Sequence, residues 1–278
     1  MDTMHAFWKI TPGGNPTILL RAEDVPPEKR AAVANAVMDV QHLGAEQVGY
    51  VRFEGTPRLD MMGGEFCLNA TRSFAVLLAE KGLLAHDEDG MFGNVEVSGV
   101  PDEVSVRVSF PEHALPFAEA CLHLPSLPEP ERMDDATLIR VPGIAHIIQT
   151  GAMPSPEELP AFCEHQRKIC HVADEDAVGH LWLKCEQNLF EEQEAELFPV
   201  VWVRATGSLC RESACGSGTL ASAIAFHALH GTLRCRIVQP SGCTLSVRLE
   251  HRPGGWDVWV GGPVRMTARG ETDLTGIL

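Results

Sequence analysis

Two short glycine-rich turns, each carrying one cysteine, constrain this chain more than any other feature. They read Gly63-Gly64-Glu65-Phe66-Cys67-Leu68-Asn69-Ala70 and Glu212-Ser213-Ala214-Cys215-Gly216-Ser217-Gly218-Thr219. The two cysteines stand 148 positions apart in a chain of 278. An apolar run with helical spacing follows each, Phe74 to Lys81 and Leu220 to Leu229, and stops at a glycine, Gly82 or Gly231. Glycine most readily takes the left-handed conformation that ends a helix. The same strand–cysteine–helix device built twice predicts two similar α+β lobes with an active site in the cleft between them. Two opposed thiols suit one reaction especially well: removing a proton from one face of a carbon and returning one to the other.

The rest of the chain fits that plan. Its length suits two domains of about 140 residues each. The Pro-rich stretch Leu124 to Met133 reads as the crossing between them. The expected N-terminal lobe is therefore 1–128, completed by a C-terminal strand at 268–278, and the C-terminal lobe is 129–267. Alternation predicts strands at Met4 to Leu20 (turning at Pro12 to Pro16), Gln47–Phe53, Arg58–Met62, Val95–Val97 and Val104–Phe110. In the second half it predicts Ile144–Gln149, His180–Lys184, Phe198–Ala205 and a hairpin of Thr244–Glu250 with Trp256–Ala268. Helices are expected at Pro27 to Met38, after the paired prolines, and at Ser155 to His165, where Ser155 and Glu158 have capping-box spacing. Strands should far outnumber helices.

Charge and composition exclude several classes of partner. A net charge of −16 disfavours nucleic acid and anionic membrane surfaces, which require a basic face. No run approaches the ~18 apolar residues of a membrane span. The N-terminal residues lack the basic and apolar regions of a secretory signal, which predicts a cytoplasmic protein. Acidic runs such as Glu191-Glu192-Gln193-Glu194 read as solvated surface. Nine cysteines, an odd number, argue against a disulfide framework. The loose cluster of Cys163, His165, Cys170 and His171 fits no zinc spacing. Cys121, Cys163, Cys170, Cys185, Cys210, Cys235 and Cys243 are expected to be small buried hydrophobes.

A cysteine at a helix N-terminus meets the positive end of the dipole and unpaired N–H groups. Its pKa is expected to fall from ~8.5 toward ~3.5–7.5. The same N–H groups bind a carboxylate, and Gly216, Ser217 and Gly218 would let the backbone close around one. One thiolate and one thiol then provide a base and an acid in the right protonation states. The rival mechanism, a single cysteine nucleophile, needs a paired histidine. His146 is the candidate, and a packed strand histidine accounts for it better.

At this point the residues resemble a family. Lys9 with Gly14-Asn15, the first cysteine turn and Ala214-Cys215-Gly216-Ser217-Gly218 are similar to the diaminopimelate epimerase family of cofactor-independent amino-acid racemases and epimerases. The resemblance implies two pseudo-symmetric lobes, each a mixed β-sheet wrapped around a central helix. It implies Cys67 and Cys215 as the acid–base thiols, with neither pyridoxal phosphate nor metal. It also implies substrate contacts from Asn15, Gln47 and Asn69, and a carboxylate held by Gly216 and Ser217. Asn15 and Asn69 also read as turn formers. The substrate would be a small amino acid, and family members that are dimers imply a possible homodimer.

The departures narrow the substrate. Diaminopimelate epimerases carry a Glu-Arg pair that grips the distal head of their substrate; the ungapped match here is Thr206-Gly207. Gly143-Ile144-Ala145-His146 replaces their Gly-Asn-Pro-His. A site unable to pair two charges rejects the molecule that carries them. Ala45-Glu46-Gln47-Val48-Gly49-Tyr50, Met61 to Cys67 with Asn69-Ala70-Thr71-Arg72, and Arg211 to Thr219 look closer to the histidine racemases that supply opine-type metallophores. That branch implies a two-thiol histidine racemase with Glu46 near the substrate imidazole; read alone, Glu46 is a solvated loop acid. The alternatives are a diaminopimelate or other amino-acid epimerase and a hydroxyproline dehydratase-like lyase. Leu68 stands where both branches have glycine, which narrows the backbone approach at the first turn.

Overall fold

The computed structural model describes residues 4–133, 135–185, 192–204 and 207–278. Thr206, the expected strand end at Ala205 and Glu191 of the acidic run lie outside the described residues. The chain divides into two compact units, Met1–Leu122 with Gly261–Leu278, and His123–Val260. Among the described residues, strands far outnumber α-helices, as the alternation predicted.

The first unit opens with β1 (Met4–Thr11), β2 (Thr17–Arg21), α1 (Arg30–Met38), β3 (Gln47–Arg52) and β4 (Arg58–Met61). It continues with α2 (Leu68–Glu80), β5 (Ala85–Asp87), β6 (Gly90–Val97), β7 (Val104–Ser109) and β8 (Phe117–Leu124). The helix expected from Pro27 begins as a 3-10 turn, Pro27–Lys29, and becomes α-helical only at Arg30. Two successive prolines supply no N–H donors there, and the first bond is the tight Lys29 N–H to Pro26 O at 2.9 Å. β1 and β2 are antiparallel, β2 and β3 parallel, β3 and β4 antiparallel, β4 and β6 parallel, and β6 through β8 antiparallel.

The second unit contains β9 (Glu131–Arg132), β10 (Ala136–Val141), β11 (Ile144–Gln149), α3 (Leu159–Ile169), β12 (Ala177–Cys185) and β13 (Gln193–Val203). β14 (Ser208–Arg211), α4 (Gly216–His230), β15 (Arg234–Val238), β16 (Thr244–Arg252) and β17 (Gly255–Pro263) follow. β10 and β11 are antiparallel, β11 and β12 parallel, β12 and β13 antiparallel, β13 and β15 parallel, and β15 and β16 antiparallel. α3 starts at Leu159 rather than Ser155, although Ser155 and Glu158 do exchange capping-box bonds at 3.3 and 3.4 Å. The run expected as one strand from Trp256 breaks at Val264, whose N–H bonds to Pro116 O at 2.8 Å. The remainder forms β18 (Arg265–Asp273), which lies antiparallel to β1 in the first unit.

These pairings repeat. Hairpin, helix, parallel strand, antiparallel strand, cysteine turn, central helix, parallel strand and antiparallel strand occur in that order in both units. α2 is buried at every position from Leu68 to Ala79, and α4 lies against β10, β11, β12, β13, β15 and β16. A helix buried on most of its faces needs residues that are apolar, small or internally paired; both runs are mostly apolar or small, and the buried Asn69 and Arg72 of α2 bond to each other. The repeat extends to single residues. Gly49 in β3 lies opposite Leu19, and Gly179 in β12 lies opposite His146. A Cβ on Gly49 would press into Leu59 and Leu19, and one on Gly179 would overlap the His146 imidazole. Both glycines make room for a neighbouring side chain.

His146 and His180 are wholly buried, and no ring nitrogen of either has a hydrogen-bond partner among the described residues. Burial pushes each imidazole down to about 3, and at His180 the charges of Arg167 and His146 act the same way. The folded chain therefore refuses protons that the unfolded chain accepts below its ordinary value near ~6.5. Their contribution to stability is complete above that value and is lost as pH falls toward 3. The urea midpoint should fall progressively from pH 6.5 to pH 4. His146→Leu, which installs the residue found at the matching place in the first unit, should flatten that decline. An unaltered slope would show that His146 does not couple to folding.

Candidate active site

Cys67 is the N-cap of α2, with extended backbone (φ −134°, ψ 107°). Its Sγ accepts the Ala70 N–H at 3.4 Å, and its carbonyl accepts the Thr71 hydroxyl at 2.8 Å. The thiol donates to Gln47 Oε1 at 3.1 Å. Gln47, the first residue of β3, is held in turn by its Nε2 donating to Thr17 Oγ1 at 2.7 Å. Ser98, the first residue past β6, braces the turn from the other side: its hydroxyl donates to Glu65 O and accepts Met61 N–H.

Cys215 repeats this geometry at α4 (φ −128°, ψ 105°). Its Sγ accepts the Gly218 N–H at 3.3 Å, and its carbonyl accepts the Thr219 hydroxyl at 2.7 Å. The residue just past β15 again braces the turn. Gln239 Oε1 accepts the Cys215 N–H at 2.9 Å, and its Nε2 donates to Thr219 Oγ1 at 3.0 Å. The Ser217 hydroxyl lies 3.5 Å from the sulfur. In both turns the first helical N–H groups have no intrahelical acceptor, which leaves an electropositive end beside the sulfur.

The surroundings of Cys215 oppose ionisation of its thiol. The lowered pKa expected of both is overturned at Cys215, whose thiol is pushed well above its ordinary range. Burial is the main cause; the Glu212 carboxylate follows, by its charge and by a hydrogen bond to the sulfur. The Ser217 hydroxyl and Gly218 N–H oppose the shift without reversing it. Desolvation of a thiolate at a wholly enclosed N-cap outweighs the helix-end donors.

Of the other expected site residues, Asn69, Gly216 and Ser217 lie just after the cysteines, whereas Asn15 lies between β1 and β2 and Glu46 just before β3. Asn15 is buried and takes a left-handed φ of 52°, and its carbonyl accepts the Thr17 hydroxyl at 3.3 Å. Asn69 is buried as well, and its Oδ1 accepts from Arg72 Nη2 at 2.8 Å. The same Arg72 nitrogen donates to Pro12 O at 2.8 Å, tying α2 to the turn that carries Asn15. Gly216 is buried and Ser217 half-buried in the first turn of α4. Glu46 is exposed beside Gln47, with its N–H on Pro16 O at 2.9 Å. Leu68 is buried in the core. His146 forms no bond to Cys215, so the cysteine–histidine nucleophile pair is absent among the described residues. Cys185 and Cys210 are exposed and Cys243 half-buried, which corrects their expected burial; all nine cysteines are free.

Sequence reasoning missed Thr17, Arg72, Ser98, Glu212 and Gln239. It also missed Thr71 and Thr219, for which a signal was readable: Cys-x-x-x-Thr occurs at both turns and places a hydroxyl one helical turn from each cysteine.

Comparison with known proteins gives the family. The sequence model described as "Histidine racemase CntK N-terminal domain" matches residues 5–272. The chain belongs to the histidine racemase family. A histidine racemase of Fusobacterium nucleatum is 28% identical over 95% of this chain and 95% of its own. One of Staphylococcus aureus is 29% identical over 95% of this chain and 96% of its own. Among solved structures, a hydroxyproline epimerase of Agrobacterium vitis has a TM-score of 0.62 at 10% identity, covering 98% of this chain and 93% of that one. A PhzF-family phenazine biosynthesis protein of Bacillus anthracis reaches 0.63 at 10% identity, covering 97% and 99%. Both share the fold of this racemase-family chain.

Because the Glu212 charge holds the Cys215 proton in place, Glu212→Gln should let that thiol ionise at lower pH. Its alkylation at pH 7, followed by mass spectrometry of the Cys215 peptide, should accelerate about tenfold, corresponding to roughly one pH unit. An unchanged rate would remove Glu212 from the account.

Proposed function

We propose that this protein is an isomerase that interconverts L- and D-histidine by two-thiol proton transfer. The observation that carries the reading is the matched capping geometry, in which each cysteine sulfur accepts the N–H three residues on at a helix start. The family membership supports histidine as the amino acid. One thiolate takes the α-proton: the C–H bond breaks, an S–H bond forms, and the electron pair stays on the α-carbon and spreads into the carboxylate. The other thiol gives its proton to the opposite face. The next turnover begins with the roles of the two sulfurs exchanged.

The α-proton is weakly acidic, so stabilising the developing charge is the main task. The N–H groups and hydroxyl at Gly216 and Ser217 would hold the carboxylate, where a helix N-terminus favours negative charge. Asn15 and Asn69 would contact the polar groups of the amino acid, and Glu46 would accept from the imidazole N–H. Cys215, held protonated by burial and Glu212, is the resting acid in this scheme, and Cys67 the resting base. The step uses neither pyridoxal phosphate nor metal. Nine free thiols suit a reducing compartment, which supports a cytoplasmic enzyme. The D-histidine formed would serve the opine-type metallophore route implied by the sequence resemblance.

A chiral assay of histidine in D2O tests the reading: each enantiomer should form from the other with deuterium at the α-carbon. Cys67→Ser and Cys215→Ser should each reduce kcat by at least about 100-fold, the usual scale for losing a positioned acid or base. Full activity in either variant would rule out the two-thiol step. Glu46→Ala should lower kcat/KM for histidine while leaving the melting temperature unchanged; an unaltered kcat/KM would return Glu46 to solvent.

A further inference from the structure

A racemase thiol must be a good acid in one half of its cycle and a good base in the other. Its surroundings must therefore stabilise both S–H and S⁻. A fixed acceptor favours only the first, and a fixed donor only the second.

Cys67 lies at the end of a chain of groups that can be read in either direction. As built, the thiol donates to Gln47 Oε1 (3.1 Å), Gln47 Nε2 donates to Thr17 Oγ1 (2.7 Å), and the Thr17 hydroxyl donates to Asn15 O (3.3 Å). The first two links can be reversed by exchanging the oxygen and nitrogen of one amide, while the third, to a carbonyl that only accepts, is made or released by rotation of the Thr17 hydroxyl. A primary amide carries a donor and an acceptor of nearly equal size, and a hydroxyl can donate or accept. If the Gln47 amide turns over, Nε2 donates to the thiolate and Oε1 accepts from Thr17, whose hydrogen swings away from Asn15 O. Thr17 is wholly buried and Gln47 nearly so. Each state thus keeps the amide satisfied on both sides, where an unpaired buried group would cost about 1–3 kcal/mol. The Ala70 N–H serves the sulfur in both states.

We propose that Gln47 and Thr17 form a reversible hydrogen-bond relay that turns over with the protonation state of Cys67, letting one sulfur act alternately as acid and base. The inference rests on the two-thiol reading. It gives Gln47 a role as a positioning residue, acting through the sulfur rather than on substrate. No proton passes along the relay; only the donors reorient, while the proton itself is exchanged between Cys67 and the α-carbon. The charged residues on the segments that build this turn are Glu46 beside Gln47, Glu65 two residues before Cys67, and Arg72, bonded to Asn69 and Pro12. None of them is a link of the chain.

The test is the pH dependence of Cys67 alkylation by iodoacetamide in the intact protein, read by mass spectrometry of the Cys67 peptide. It needs no substrate, so it reports on the relay even if histidine is not racemised. In the relay, the amide N–H to S⁻ bond is charge-assisted and stronger than S–H to carbonyl, so losing the amide costs the thiolate more. Gln47→Ala should raise the midpoint by about half a unit to one unit, and Gln47→Glu, which cannot donate, by more. kcat for histidine should fall at least tenfold in both, with KM changed less than threefold. A midpoint that falls or stays fixed in Gln47→Ala would show that the amide presents only its carbonyl, and would overturn the relay. A raised midpoint in wild-type-like, folded Gln47→Ala together with no racemisation by the unaltered protein would instead overturn the functional reading alone.

Discussion

Both halves of this protein depend on a helix capped by sulfur. Helix N-termini are ordinarily closed by Ser, Thr, Asp or Asn, whose oxygens accept strongly; replacing them by a non-capping residue costs about 1 kcal/mol. A thiol accepts only weakly, yet Cys67 and Cys215 occupy that position with nearly the same dihedrals. Other groups make good the weak cap. Thr71 and Thr219 close onto the cysteine carbonyls, and Ser98 and Gln239 hold the turns from the strands alongside. The central helices, the parallel strands beside them and the bracing residues all serve to hold a poor capping atom at the electropositive end of a helix.

Within that repeated frame the partners have diverged. Cys67 is half-buried against an uncharged amide, whereas Cys215 is enclosed with a carboxylate against its sulfur. The bracing residues differ too, a serine reaching the carbonyl two residues before one cysteine and a glutamine reaching the N–H of the other. Backbone geometry is common to both halves, and the electrostatics are local. An internal repeat can therefore present two copies of one functional group in unlike surroundings without changing its fold.

What was legible in the sequence was local. Glycine stops, a cysteine ahead of an apolar run and the Cys-x-x-x-Thr spacing all act within one or two helical turns, and α2 and α4 lie where those signals place them. The depression of the Cys215 thiol was misjudged because a helix terminus is visible in sequence while the depth of burial is not. Gln47 was marked only through resemblance, since its bond to Cys67 spans 20 positions and depends on the antiparallel pairing of β3 with β4. Gln239, 24 positions after Cys215, left no local sign at all. Cys185 and Cys210 were misplaced for a related reason: cysteine composition predicts average burial, and these two lie on exposed strand positions.

The strand order also has a consequence for synthesis. β18 pairs along the whole of β1 yet is encoded after the entire second unit. As the chain emerges from the ribosome, the first unit can collect its hairpin and central helix early. One edge of β1 stays without its neighbour until residues 265–273 arrive. An unpaired strand edge is a template for wrong partners, and contacts between distant parts of a chain form slowly. The second unit, contiguous in sequence, faces no such wait. Translation thus imposes an order of completion opposite to the order of encoding, and the half that begins the chain is the last to be finished.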